Sequence, residues 1–144
     1  DPILRFDDTH KRRDLSTVPD MEKYRNLITW ADQIIFIYPI WWSGMRQCSK
    51  ALLIAYLQRA LPIHMEKRGL IGHLQGKSAW IITTHNTPAF LTPFIQDYGK
   101  VLNQVLKSCG IKPVTHTQLA GTENSSDEKR RRFLDKIANI AGSI

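Results

Sequence analysis

Two segments of the chain place aromatic and polar side chains directly after an apolar run. In the first, residues 34–38 (Ile-Ile-Phe-Ile-Tyr) lead into residues 39–45 (Pro-Ile-Trp-Trp-Ser-Gly-Met). Pro39 has no N–H to donate to a strand ladder, so the strand is expected to end there and the following backbone becomes available to a ligand. The two tryptophans add large flat faces. This loop therefore suits a flat, ring-shaped ligand, although tryptophans after a strand more often serve packing alone.

The second segment repeats this arrangement. Residues 78–83 (Ser-Ala-Trp-Ile-Ile-Thr) follow a turn at Gly76 and lead into the polar loop at residues 84–88 (Thr-His-Asn-Thr-Pro). Ligands of open α/β sheets bind at the carboxyl ends of the strands, so the two loops should be neighbours. His85 is the histidine best placed for chemistry. The other four suit surface or helix-end positions: His10, His64, His73 and His116.

The chain lacks the short motifs of several enzyme classes. It has no glycine-rich phosphate loop, HExxH or GxSxG. The histidines show no metal-ligand spacing, so no metal is expected. Cys48 and Cys109 lie far apart and form no CxxC pair, which argues against a zinc site and a disulfide framework and favours a reducing, cytoplasmic setting.

The net charge of +7 raises the question of an anionic partner. The basic clusters at residues 11–13 and 129–132 carry no interleaved aromatic side chains, so nucleic-acid binding is not favoured and a small phosphate-bearing ligand suits the charge equally well. No apolar run approaches the ~18 residues of a membrane span. The first residues carry no signal-peptide pattern, and the start looks internal because it lacks Met.

Helix and strand signals alternate along the chain. Strands are predicted at residues 34–38, 78–83 and 112–119. This alternation predicts one α/β domain over residues 1–144, with a parallel sheet covered by helices on both faces. Three helices are predicted. The first covers residues 21–31, with Asp20 as N-cap and an apolar stripe of Met21, Tyr24, Leu27, Ile28 and Ala31. The second runs from Thr92 and closes at Gly110, and the third is capped by Ser125 and Glu128 and has a buried stripe of Phe133, Leu134, Ile137, Ala138 and Ala141.

These segments together resemble the flavodoxin-like NAD(P)H dehydrogenase (quinone) family, which includes DT-diaphorase. The resemblance rests on residues 1–4 (Asp-Pro-Ile-Leu), 32–45, 83–88 and 109–114 (Cys-Gly-Ile-Lys-Pro-Val). It covers most of the chain to Met45 and again from about Gly69. It implies a flavodoxin-like doubly wound sheet.

The resemblance also implies a flavin, FMN or FAD, with NAD(P)H as co-substrate. Hydride would pass from NAD(P)H to the flavin and then to a quinone or a similar acceptor. Family members are usually dimers, so a homodimer is implied. Family members have two glycines after the threonines where this chain has His85 and Asn86, and His85 is a candidate hydrogen-bond donor to the reduced flavin or quinone. The implied cofactor-binding residues are Pro39, Ile40, Trp41, Trp42, Ser43, Gly44, Thr83, Thr84, His85 and Asn86.

Two departures from the family stand out. The strand, phosphate loop, helix and second strand that open family members have no counterpart here, so we expect the domain to be N-terminally incomplete. Residues 46–68 also lack the family pattern. A back-translation of residues 46–64, preceded by one added base, reads Pro-Ala-Met-Leu-Lys-Gly and continues in a family-like way. We therefore hypothesise a local frameshift over residues 46–68, and ordinary divergence is the alternative.

Two readings of function follow from the sequence. The first is a flavin-dependent NAD(P)H:quinone oxidoreductase. The second is a truncated, partly frame-shifted relative without catalysis, acting at most as a binding or dimerising module. Flavin binding by the protein distinguishes them.

Overall fold

Three parallel strands form the centre of the structure, which is a computed structural model that describes residues 19–40, 64–66, 69–71, 74–92 and 99–143. The strands lie in the order β1–β4–β5, and a separate antiparallel pair joins β2 to β3. The predicted α/β class and parallel sheet are confirmed. In chain order the elements are α1 (Pro19–Trp30), β1 (Gln33–Pro39), β2 (His64–Glu66), β3 (Gly69–Ile71), β4 (Ser78–His85), α2 (Lys100–Ser108), β5 (Val114–Ala120) and α3 (Asp127–Ala141).

The register of the sheet sorts its side chains onto two faces. Tyr38 of β1 lies opposite Thr83 of β4, and Thr83 lies opposite Gln118 of β5. Because side chains alternate along a strand, residues two apart share a face. One face therefore carries Ile34, Phe36, Tyr38, Ala79, Ile81, Thr83, His85, Val114 and His116, and the other carries Ile35, Ile37, Trp80, Ile82, Thr84, Thr115 and Thr117.

Helix α2 covers the first of these faces. Leu102 and Leu106 are buried against Ala79 and Ile81, and Ile111 completes the packing after the helix ends. Leu102 and Leu106 stand four residues apart, which places them on one side of the helix. This cluster is the main apolar core of the described chain. The cluster packs against Ala79 and Ile81 of β4.

Helix α3 lies against the opposite face more loosely. A cavity of about 310 Å³ is lined by Trp80, Thr115 and, from the end of α3, Ile140. Trp80 is 2 % exposed, and its indole N–H donates to Thr117 Oγ1 at 3.0 Å. The polar atoms of this face thus bond across β4 and β5, as buried polar groups require.

The predicted buried stripe of α3 is wrong in three places. Leu134 is 61 % exposed, and Ala138 and Ala141 are exposed as well. Phe133 and Ile137 are partly buried, so the contact stripe is narrower than the run of apolar letters indicated. A helix that touches the sheet along one side needs only one residue per turn for that contact.

The cap of α3 differs from prediction. Ser126, rather than Ser125, caps α3 by accepting a hydrogen bond from the N–H of Lys129 at 3.2 Å. Ser125 is buried and donates to the carbonyl of Gly121 instead.

The predicted helix from Thr92 to Gly110 is described in two parts. Thr92 is helical, α2 covers residues 100–108, and the predicted turns at residues 93–98 lie outside the described part of the chain.

Strand boundaries are close to prediction, with one consequence for the site. Strand β1 ends at Pro39, as expected. Strand β4 extends two residues past Thr83, so Thr84 and His85 are strand residues and not loop residues. Their backbone groups bond to β1 and β5, which makes this end of the sheet more rigid than a loop. Strand β5 begins at Val114, because Pro113 cannot donate to the ladder.

Two side chains of β1 are more exposed than the apolar run predicted. Ile35 and Ile37 are 49 % and 74 % exposed, although Ile82 beside them on β4 is 5 % exposed. On α1, Leu27 of the predicted stripe is 49 % exposed, whereas Ile28 packs against the core. The apolar letters of β1 and α1 therefore overstate how many of their side chains are buried.

The anomalous segment at residues 46–68 falls largely outside the described residues. Its described residues are those of β2, which pairs antiparallel with β3 just after the segment, and the sequence analysis did not predict this pair. None of the helices in the described ranges is long and apolar enough to cross a lipid bilayer.

Two glycines with left-handed backbones allow a matched stability test. Gly99 has φ of 87°, and a Cβ placed on it would lie 3.4 Å from His116 Cε1 and 3.5 Å from the Tyr38 hydroxyl oxygen. Gly76 has φ of 83° and no atom within 4 Å of such a Cβ. We expect Gly76→Ala to cost about 1 kcal/mol from backbone conformation alone.

Gly99→Ala should cost about as much as Gly76→Ala, because the added methyl group would meet the imidazole and the phenol at van der Waals distance without a clash. Urea unfolding of the two variants compares the losses of unfolding free energy. A clearly larger loss for Gly99→Ala would show that the space between Gly99 and His116 is too small for a methyl group.

Candidate functional site

The carboxyl ends of β1, β4 and β5 meet at one edge of the sheet. The first link between them is the N–H of Ile40, which donates to the carbonyl of Thr84 at 2.8 Å. Ile40 is 9 % exposed, whereas Pro39 before it is exposed. The pairing of β1 with β4 therefore continues to Ile40, whose apolar side chain is buried. This is the start of the loop that the sequence predicted to carry a flat ligand.

The loops after β4 and β5 are joined by their backbones. The carbonyl of His85 accepts from the N–H of Thr122 at 3.1 Å and from its hydroxyl at 2.9 Å. The carbonyl of Thr87 accepts from the N–H of Gly121 at 3.1 Å. These bonds continue the β4–β5 pairing beyond the sheet, so the two loops form one rigid lip.

Asn86 and Glu123 close this lip from the outside. Asn86 Oδ1 accepts from the N–H of Glu123 at 3.0 Å, and Asn86 Nδ2 donates to the Glu123 carboxylate. Both polar ends of the amide are engaged within the protein. In this arrangement the Asn86 side chain braces the lip, and its predicted contact with a cofactor remains a prediction.

Lys129 brings a positive charge from α3 to the end of β5. Its Nζ donates to the carbonyl of Ala120 at 2.7 Å, and a Cβ on Gly121 would lie 4.0 Å from the same nitrogen. Gly121 has φ of 65°, which lets the chain turn sharply after the strand. The cation is thus fixed at the same edge as His85.

His85 lies at the centre of this edge, just beneath the surface. It is 4 % exposed, and burial lowers the pKa of its imidazole. A hydrogen bond with the backbone of Thr87 opposes that shift, and the charge on Lys129 adds to it. His85 is therefore mainly neutral at pH 7. A neutral imidazole carries one N–H donor and one acceptor nitrogen.

A second imidazole supports the strand below His85. His116 Nε2 lies 2.8 Å from Thr83 Oγ1, and Thr83 is fully buried. Burial lowers the pKa of His116, and the neighbouring charge of His85 lowers it further. A Cβ added to Gly99 would lie 3.4 Å from His116 Cε1 and 3.5 Å from the Tyr38 hydroxyl, so both side chains lie close to Gly99. These groups form a polar cluster between the sheet and the start of α2.

The predicted site residues divide into three groups. Ile40, Thr84 and His85 meet at the sheet edge, as the neighbouring loops were expected to do, and Thr83 points inward to His116. Their role as cofactor ligands remains a prediction. Trp41, Trp42, Ser43 and Gly44 lie outside the described residues.

The sequence analysis missed the loop after β5. Gly121 and Thr122 follow a predicted strand just as His85 and Asn86 do, and that position was the signal that could have found them. Lys129 carried no such signal, because it stands in a basic cluster taken as solvated surface.

The chemistry of this edge suits an aromatic ring with polar margins. Ile40 offers an apolar surface, His85 an imidazole, and the lip a set of backbone groups. Among the described residues no group of three or more His, Cys, Asp or Glu side chains is placed to hold a metal ion. The apolar surface and the hydrogen-bonding groups of this edge together match the shape and polarity of a flat conjugated ring.

Sequence comparison assigns the chain to a known family. The family described as having a flavodoxin-like fold matches residues 1–141. An uncharacterized NAD(P)H oxidoreductase of Haemophilus influenzae is 25 % identical over 141 residues, which are 95 % of this chain and 69 % of that protein.

Two solved structures extend this comparison. Smu.1420 from Streptococcus mutans UA159 is 55 % identical, with a TM-score of 0.82 over 100 % of this chain and 77 % of its own. An FMN-dependent NADH-azoreductase from Bacillus anthracis, solved with FMN, is 15 % identical, with a TM-score of 0.75 over 99 % of this chain and 76 % of its own. At that identity the second likeness shows the fold alone.

The buried His85 and the half-buried His116 make stability depend on pH. Their pKa values are lowered in the folded state, so between those values and about 6.5 the unfolded chain binds more protons. Their contribution is fully present above pH 6.5 and is lost as the pH falls through the folded-state values.

We expect the free energy of unfolding to decrease from pH 7.5 to pH 5.5. His85→Gln and His116→Gln should each flatten this slope, and an unchanged slope in both variants would contradict the assignment.

Removing the charge of Lys129 should raise the pKa of His85. Lys129→Met deletes the cation that disfavours a second positive charge nearby. NMR titration of the His85 ring proton measures the change. Lys136→Met is the matched control, because Lys136 is an exposed lysine of the same helix. The same pKa in both variants would show that the charge of Lys129 does not reach the site.

Proposed function

Because the chain belongs to the family with the flavodoxin-like fold, we propose that it is a flavin-dependent NAD(P)H oxidoreductase. The proposed reaction moves hydride from NAD(P)H through a bound flavin to a quinone or a similar two-electron acceptor. The relative from Haemophilus influenzae bears the name of an NAD(P)H oxidoreductase, and the Bacillus anthracis structure that shares the fold is FMN-dependent. Both names support the proposal.

The observation that carries the proposal is the edge built by Ile40, His85 and the lip around Thr122. Ligands of doubly wound sheets bind outside the carboxyl ends of the strands. Here two of those ends are held together by three hydrogen bonds, and the buried Ile40 side chain lies beside them. A rigid, half-apolar edge is what a flat ring needs for tight stacking.

Each residue has a defined part in the proposal. Ile40 would offer an apolar contact to the ring, and its hydrogen bond to the carbonyl of Thr84 holds it in place. His85 donates or accepts one hydrogen bond at the ring margin, and its neutral form can take up a proton when negative charge develops nearby. Lys129 holds positive charge at the same edge. When bound, a flavin would supply the hydride transfer itself.

The proposed flavin, FMN or FAD, carries phosphate. No glycine-rich phosphate loop occurs in the sequence, so the choice between FMN and FAD is not fixed by a motif. The net charge of +7 favours an anionic ligand in either case. We propose a homodimer by the family resemblance, with the second subunit completing the wall of the pocket.

A non-catalytic module is the second candidate, and one observation favours it. Ile35 and Ile37 leave an apolar face of β1 open to solvent. Parallel sheets are normally covered on both faces, so this surface suits contact with another protein segment. In that case the chain would bind or dimerise without holding a flavin.

Flavin titration of the full chain tests the proposal. Binding should quench FMN fluorescence and raise the melting temperature, because a ligand that binds the native state alone stabilises it by about 2.7 kcal/mol at 100 times its Kd. Riboflavin is the companion ligand, since it shares the ring and lacks the phosphate.

His85→Asn should weaken FMN binding several-fold. Lys107→Met, a change on the exposed side of α2, is the control and should leave binding unaltered. No quenching and no thermal shift at excess FMN or FAD would exclude the oxidoreductase for this chain and favour the module.

A further inference from the structure

The polar cluster beneath His85 has no part in the function proposed above. Thr83 and His116 bond at 2.8 Å, and Thr83 is fully buried. The family resemblance gave Thr83 a cofactor contact, yet its hydroxyl points to β5 instead. This hydrogen bond between two strands is costly to break, because the fully buried Thr83 hydroxyl would be left without a partner. The bond therefore holds β4 and β5 in fixed relation near their ends.

The position of this bond relates it to the candidate site. Thr83 and His85 share a face of β4 and stand two residues apart, so a shift at Thr83 moves the His85 side chain directly. Gly99 also lies close to His116, because a Cβ added to Gly99 would be 3.4 Å from the imidazole ring. The start of α2, the end of β4 and the middle of β5 thus meet at one imidazole.

We propose that His116 is a positioning residue of the candidate site, holding His85 in place through its hydrogen bond to Thr83. This inference rests on the proposed flavin site for its functional meaning. The structural part, that His116 fixes the surroundings of His85, stands on the described contacts alone.

A double-mutant cycle tests the positioning role. Thr83→Val and His116→Leu each remove the hydrogen bond and replace the polar side chain with an apolar one of similar size. We expect each to weaken FMN binding about tenfold, and the double variant to be no weaker than either single one, since partners of one bond are not additive. Thr83→Ser and His116→Gln keep a hydrogen-bonding group and should restore affinity to within about twofold of the starting protein.

Thr117→Val is the matched structural control. Thr117 is 3 % exposed on the same strand as His116, and its hydroxyl accepts the Trp80 indole N–H on the opposite face of the sheet. Its loss should lower thermal stability about as much as Thr83→Val does. FMN affinity should remain unchanged in Thr117→Val, because that bond does not lead to His85.

The His85 pKa separates failure of this inference from failure of the flavin proposal. In flavin-free Thr83→Val, NMR should show this pKa rising towards its ordinary value of about 6.5, because the loosened strand end admits water. If the starting protein binds no flavin but the pKa still rises, the flavin proposal fails and the positioning role stands. If FMN affinity and the His85 pKa are both unchanged while stability falls as in Thr117→Val, the bond is merely structural and the inference is overturned.

Discussion

Parallel pairing of β4 with its two neighbours is the constraint on which the rest of the structure depends. In a parallel sheet every strand ends at the same edge, so loops that are far apart in the chain become adjacent in space. Residues 40, 85 and 122 meet for this reason alone. The same pairing leaves the last backbone groups of each strand to bond one another, which they do between His85 and Thr122. The site is thus a direct product of strand direction.

On each face of β4, a buried hydroxyl group forms a hydrogen bond between β4 and β5, but only one of these bonds lies near the candidate site. On the α3 side, the Thr117 hydroxyl accepts a hydrogen bond from the Trp80 indole N–H, and this bond lies away from the carboxyl ends of the strands. On the α2 side, Thr83 bonds His116 directly below His85. Both bonds satisfy buried hydroxyl groups, which is a general requirement of cores. The second one also joins the core to the edge where a ligand would bind.

Local sequence signals predicted the strands and their order well. The apolar runs at Ile34 and Trp80 predicted β1 and β4, and the polar residues after them indicated a candidate site whose role stays a prediction. Capping and burial were less predictable. Ser125 and Ser126 are equal candidates by residue type, and the difference arises because the Gly121 carbonyl takes the hydroxyl of Ser125. Leu134 is apolar and yet exposed, because helix contact depends on the geometry of the sheet below it.

The site residues that the sequence missed explain the limit of motif reasoning here. Lys129 reaches the edge from α3 because that helix starts at the edge where β5 ends, so its first turn stands beside His85 and Ala120. A basic run in the sequence does not reveal that one of its members is fixed by a strand carbonyl. His116 likewise resembled a surface histidine, since its neighbours Thr115 and Thr117 are polar and alternate with it. Its burial follows from the register with β4, which the sequence pattern alone does not specify. Residues that approach a ligand directly can therefore be found from strand ends, whereas residues that support them become visible only once the strands are paired.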